Sequence, residues 1–112
     1  MWILTKFGFF SAVQKQADVA ENMLTIRGRV KDDLEALRHY LPDMGNITTS
    51  NNADYRYRVR VSKASFAEAL PQMVMDIDYS NFKDKVMQTQ GRGRARTYSK
   101  VWGTLRDLQT QA

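Results

Sequence analysis

The chain has 112 residues and a mass of 12.9 kDa, room for one domain and no second. Hydrophobic residues make up 43% and the aromatics number five Phe, five Tyr and two Trp, enough for a packed core and too many for a disordered chain; cysteine is absent, which excludes disulfides, thiolate catalysis and Cys-based zinc or iron–sulfur sites. The formal charge is +5 and it is local: residues 91–112 hold Arg92, Arg94, Arg96, Lys100 and Arg106 against Asp107 alone, a balance of +4 that leaves +1 for the first 90 residues.

Residues 1–14 are apolar-rich and carry a Lys6-Phe7-Gly8 break, which predicts two short strands joined by a tight turn in which Gly8 supplies positive φ. Polar Gln14–Asn22 reads as a connector. Residues 23–30 then alternate: Leu24, Ile26, Gly28 and Val30 point one way, Thr25, Arg27 and Arg29 the other, the pattern of a half-buried strand. Asp32-Asp33-Leu34-Glu35 has the form of a helix cap with a glutamate behind it, and Leu34, Leu37 and Leu41 give one apolar stripe that Pro42 stops.

Pro42–Asp54 is a polar loop. After it comes the strongest strand signal, with Tyr55, Tyr57, Val59 and Val61 on one side and Arg56, Arg58 and Arg60 on the other. Ser62 caps a second helix with Phe66, Leu70, Met73, Val74 and Ile77 as its buried stripe, and Pro71 inside it predicts a kink or a break. A helix restarts after Asp78 with Phe82 and Val86 inward, Gly91-Arg92-Gly93 interrupts it, and a last helix runs through Tyr98, Val101, Trp102, Leu105 and Leu108. The expected architecture is a single α+β domain over 1–112: an antiparallel sheet of about four strands within 1–61, helices on one face near 32–41 and through 63–110, and a helical C-terminal half.

Two arrangements point to a charged partner. If strands 23–30 and 55–61 share a sheet, Arg27, Arg29, Arg56, Arg58 and Arg60 fall on its non-helical face, where guanidiniums bind phosphates or carboxylates bidentately. Antiparallel sheets also keep polar outer faces for no other reason than solvation, and the alternation is accounted for by that as well. In Gly91-Arg92-Gly93-Arg94-Ala95-Arg96, glycines admit a phosphate close to the backbone and three arginines at every second position neutralise it, near a helix start at Arg94 or Thr97; Gly91 is equally a natural helix terminator.

Other constellations are thinner. Asp76, Asp78 and Asp84 with Lys83 or Lys85 invite comparison with a metal-dependent nuclease, yet Asp76 and Asp78 read more simply as helix-terminal residues. His39 stands alone near a helix end without a nucleophile to serve. Most aromatics have core spacing, with Tyr55 and Phe7 or Phe10 the candidates for exposure.

The start Met1-Trp2-Ile3…Gly8-Phe9-Phe10-Ser11, the Arg27…Arg29 strand, the Asp33-Leu34 helix, the segment Ile77-Asp78-Tyr79-Ser80-Asn81-Phe82-Lys83 and the closing Tyr98…Val101-Trp102 together resemble a group of small single-domain bacterial proteins of uncharacterised function. That resemblance covers nearly the whole chain and implies an independent domain; it carries no activity, cofactor or site. The residues themselves predict a non-enzymatic basic module without metal or cofactor that engages nucleic-acid backbone through Arg92, Arg94, Arg96 and Lys100, with the sheet arginines as a second surface. The rival is a small interaction factor or inhibitor, of the phage or mobile-element anti-defence kind, docking on an acidic protein surface. The lack of a signal-like or spanning stretch predicts a cytoplasmic location away from membranes, and an open edge strand leaves homodimerisation available.

Overall fold

The two alternating segments pair with each other. In a computed structural model describing residues 1–111, β3 (Met23–Gly28) runs antiparallel to β5 (Tyr57–Ser62), with Ile26 opposite Val59 and Leu24 opposite Val61. On the far side of β3 lies the hairpin β1 (Trp2–Thr5) and β2 (Gly8–Val13), paired from Trp2↔Ser11 to Thr5↔Gly8. A two-residue strand, β4 (Thr48–Thr49), covers the outer edge of β5, giving the order β1-β2-β3-β5-β4. The protein is therefore α+β with a five-stranded antiparallel sheet. The fifth strand lies in the polar Pro42–Asp54 loop, where two threonines exposed on both sides leave no alternation to read.

The chain divides into two compact units, Met1–Ile77 and Asp78–Ala112. In the first, α1 (Gln16–Val19), α2 (Lys31–Leu37) and α3 (Lys63–Met75) join the sheet. One sheet face supplies Phe10, Ala12, Ile26, Val59 and Val61 to the core; Leu34, Leu37, Leu41, Met44, Phe66 and Ala69 close it from above. Helix α2 stops at Leu37, short of Pro42, because Arg38, His39 and Tyr40 turn on i→i−3 backbone bonds. Its cap is Val30, which frees Asp33 for another task.

That task fixes the hairpin. Asp33 is buried and its Oδ2 accepts the Phe9 N–H at 3.0 Å. The Thr5 hydroxyl closes the Lys6–Phe7 turn by accepting from the Phe7 and Gly8 amides, and Gly8 has no positive φ. Glycine is required there for space: a Cβ would stand 2.7 Å from the Asp33 Cβ and 2.8 Å from its Cγ.

Helix α3 is continuous through Pro71, capped by the Ser62 hydroxyl, which accepts the Ser65 N–H at 2.9 Å. Its inward face is Phe66, Ala69, Leu70 and Met73. Val74 lies off that face and Ile77 beyond the Asp76 cap, so both are exposed where the stripe predicted burial.

The second unit consists of α4 (Phe82–Gln90), α5 (Arg92–Leu105) and α6 (Asp107–Gln111). Asn81 caps α4, accepting the Asp84 N–H at 3.0 Å, and Gly91, at φ 93°, lets α5 start immediately after α4 ends. Phe82 stacks on Tyr98 at 5.8 Å, and Val86 and Ala95 are buried. The expected inward stripe does not continue: Trp102, Leu105 and Leu108 are each more than half exposed.

Gly8→Ala forces the hairpin off Asp33 and is expected to destabilise the first unit by about 1–3 kcal/mol, the usual cost of overpacking a close contact, measured by denaturant unfolding. An unchanged midpoint would mean that Asp33 does not hold the hairpin in this position.

Candidate anion-binding surfaces

The sheet face opposite the core carries the strand arginines. Arg27 and Arg58 are direct partners across β3 and β5, and Arg60 stands opposite Thr25. Arg29 follows the end of β3 and Arg56 precedes β5, so neither belongs to the ladder. Tyr55 also precedes the strand, and parity does not reach it: its ring lies with Phe9, Arg27 and Arg29 rather than with Val59. At 3% exposure it is buried rather than open, covered by the Arg27 and Arg29 guanidiniums at 4.5 and 4.6 Å from the ring centroid.

These arginines are not equivalent. Asp18, on the short α1 turn that follows the Gln14–Lys15 connector, is almost fully buried on this face. One carboxylate oxygen accepts the Thr25 hydroxyl at 2.7 Å and the Lys15 N–H at 2.9 Å; the other accepts Arg60 Nε at 2.8 Å. Burial pushes the Asp18 carboxyl up, but those three donors outweigh it and hold it below the ordinary value. Glu21 takes a second Arg60 nitrogen at 3.4 Å. Arg60 is thereby committed to an internal ion-pair network, while Arg27 donates to the Ser11 hydroxyl at 2.8 Å and Arg58, among the described residues, has Asp54 at 4.0 Å as its counter-ion. The Arg56 side chain is exposed and makes no bond among the described residues. A groove of about 440 Å³ runs beside β4, lined by Lys15, Thr25, Asn46, Thr48, Arg58 and Arg60. Nothing in the sequence pattern singled out Lys15, Asn46 or Thr48, which come from loops and the unforeseen fifth strand.

The second surface is α5. The helix begins at Arg92, earlier than Arg94 or Thr97, and this redistributes the basic residues. Residues two apart fall on opposite sides of a helix and residues four apart align. Arg92, Arg96 and Lys100 therefore form one exposed stripe with no carboxylate partner among the described residues. Arg94 turns the other way, its Nη1 3.4 Å from the Tyr98 hydroxyl. The first turn contains no acidic residue, so Arg92 stands uncompensated at the end of the helix where the backbone dipole is already positive.

The acidic residues do other work. Asp76 is the C-cap of α3 and accepts the Tyr40 hydroxyl at 2.7 Å and Gln72 at 3.0 Å; Asp78 pairs with Lys85 at 3.2 Å. Among the described residues no group of three or more His, Asp or Glu is placed to hold a metal ion. His39 is exposed, in edge contact with Tyr40. No helix is long and apolar enough to cross a membrane. No protein-family model, curated protein or solved structure matches the chain.

Two pH-linked outcomes follow. Asp18→Ala is expected to lower the melting temperature by several degrees at neutral pH, because Thr25 and Arg60 lose their acceptor. A depressed carboxylate contributes above its unfolded value near 4 and loses that contribution as pH falls, so the difference from wild type shrinks below about pH 4. Tyr40 is pushed up to about 12 by burial and by donating to Asp76. That same bond holds Asp76 low against the opposing cost of desolvation. The stabilisation by the Tyr40 proton is complete below the ordinary tyrosine value near 10 and is lost as pH rises toward 12. Melting curves of Tyr40→Phe across pH should therefore converge on wild type at strongly alkaline pH; a constant difference would deny the shift.

Proposed function

We propose that this protein is a non-enzymatic binding module for nucleic-acid backbone. The observation that carries the reading is the exposed stripe Arg92, Arg96 and Lys100, three cations in line without a carboxylate partner among the described residues, the first of them at the helix end where the dipole disfavours a cation. A fold that served only itself would place acids in that turn. Placing cations there instead costs stability and favours a polyanion, whose binding to such a stripe is driven by counterion release. Phosphate contacts of this kind position the protein without reading sequence. Arg94 belongs to the support of the helix through Tyr98, and Arg27, Arg29, Arg56 and Arg58 provide a second basic surface from which Arg60 is withdrawn by Asp18. The cytoplasm is the compartment this reading implies.

A second reading has its own observation. Trp102, Leu105 and Leu108 are exposed on the same helical unit, with Lys83 Nζ 4.2 Å and Arg106 5.4 Å from the Trp102 ring. Exposed aromatics bordered by cations are what a surface for an acidic protein partner offers. In that reading the protein is a small interaction factor or inhibitor.

Fluorescence polarisation with labelled oligonucleotides at two salt concentrations separates them. Binding is expected to weaken steeply with salt. Replacing Arg92, Arg96 and Lys100 together by Gln should weaken it at least tenfold and reduce the slope of log affinity against log salt by about 2. Absence of binding at low salt, or unchanged affinity in the triple variant, overturns the reading. One-to-one complex formation with an acidic protein in the absence of nucleic acid would favour the second.

A further inference from the structure

The strand register aligns one residue from each of the five strands across the open sheet face: Trp2, Ser11, Arg27, Arg58 and Thr48. The centre of that row is electrostatically unfavourable as it stands. Arg27 and Arg58 face each other directly, and like charges in that relation destabilise a sheet. The acids nearby do not offset them: Asp18 and Glu21 are taken by Arg60, and Asp54 is 69% exposed and 4.0 Å from Arg58. The Nε of both arginines is buried without a hydrogen-bond partner, an arrangement folded proteins avoid unless something else compensates.

The end of the row is equally out of keeping with a purely structural role. Trp2 is 69% exposed, its ring standing at 87° to that of Phe9 with 5.9 Å between centroids. Phe9 in turn lies 6.4 Å from Tyr55, beneath the Arg27 guanidinium. The open face thus joins an exposed indole to two like-charged arginines, one without a carboxylate partner among the described residues and the other with Asp54 at 4.0 Å, through an aromatic floor, with the Ser11 and Thr48 hydroxyls between and beside them.

We propose that this row binds single-stranded nucleic acid, a phosphate seated on the Arg27–Arg58 pair and a neighbouring unpaired base stacked on Trp2. The inference rests on the nucleic-acid reading above and names its substrate class. A phosphate supplies the pair with a closer counter-charge than Asp54 at 4.0 Å, in the bidentate geometry guanidiniums favour. Stacking requires a base whose face is free, which a duplex does not offer. The α5 stripe, by contrast, makes no distinction between single strand and duplex.

The test uses the full chain with Trp102→Phe, so that Trp2 is the one fluorophore of its kind. Titration with a single-stranded oligothymidine is expected to quench Trp2, and a duplex of equal length is expected to bind more weakly without quenching. Arg27→Gln with Arg58→Gln should weaken the single strand at least tenfold; Trp2→Ala should do so about fivefold or more and Trp2→Phe much less. Arg58→Gln alone should melt at or above the wild-type temperature, since it removes a like-charge pair. Equal binding of strand and duplex with Trp2 unquenched overturns the inference and leaves the backbone-binding reading standing, whereas no binding of either probe at low salt removes both. A variant Arg58→Gln that melts several degrees lower with unchanged affinity assigns the pair to the fold and likewise overturns it.

Discussion

The register of β3 against β5 is the constraint on which the first unit depends. Ile26 opposite Val59 and Leu24 opposite Val61 put four apolar side chains under α2 and α3, and the same pairing puts Arg27 opposite Arg58 on the reverse. Because side chains alternate with a period of two, a slip of one residue would carry the arginines into the core and the valines into water. Burial of Ile26 and Val59 therefore holds the arginine pair together even though the pair repels itself. The stability of one face is spent on the electrostatics of the other.

Charge on that outer face is sorted by one buried carboxylate. Asp18 takes Arg60, Thr25 and the Lys15 amide, and so ties the connector between β2 and β3 to the sheet. In doing so it separates Arg60 from Arg27 and Arg58, whose neighbours on that face are the Ser11 hydroxyl and, at 4.0 Å, Asp54. A short-range ion pair of this kind, with one member almost fully buried, outweighs any reading based on summed charge, which would count all three alike. The same holds on α5, where Arg94 leaves the exposed set for Tyr98 and Lys100 joins Arg92 and Arg96.

Close packing at small residues determines how the elements meet. Asp33 reaches the Phe9 amide because Gly8 leaves room for it, and this contact joins the start of α2 to the hairpin. Gly91 has the other use of glycine: its positive φ allows α4 and α5 to follow each other without a linker, so that Phe82 meets Tyr98.

Much of the fold was legible in the sequence, because local periodicity is a direct record of which face is buried. The alternation over residues 23–30 and 55–61 gave the central strands, though these end at Gly28 and begin at Tyr57, Leu34 and Leu37 gave the face of α2, and Ser62 gave the start of α3. What periodicity does not record is where an element stops or which long-range partner a polar residue finds. Helix α2 ends at Leu37 rather than Pro42, Pro71 sits inside an unbroken helix, and Val74, Ile77, Trp102, Leu105 and Leu108 are exposed because an apolar stripe is buried only as far as another element covers it. Basic residues were identifiable by type and count; their availability was not, since it depends on Asp18 reaching across to Arg60, on Tyr55 crossing to the arginine face, and on α5 starting at Arg92. Sequence by itself determined the α+β class and the positions of the arginines along the chain. Tertiary structure alone decided which of them meet a carboxylate, because pairing energies fall off within a few ångströms and only folding sets those distances.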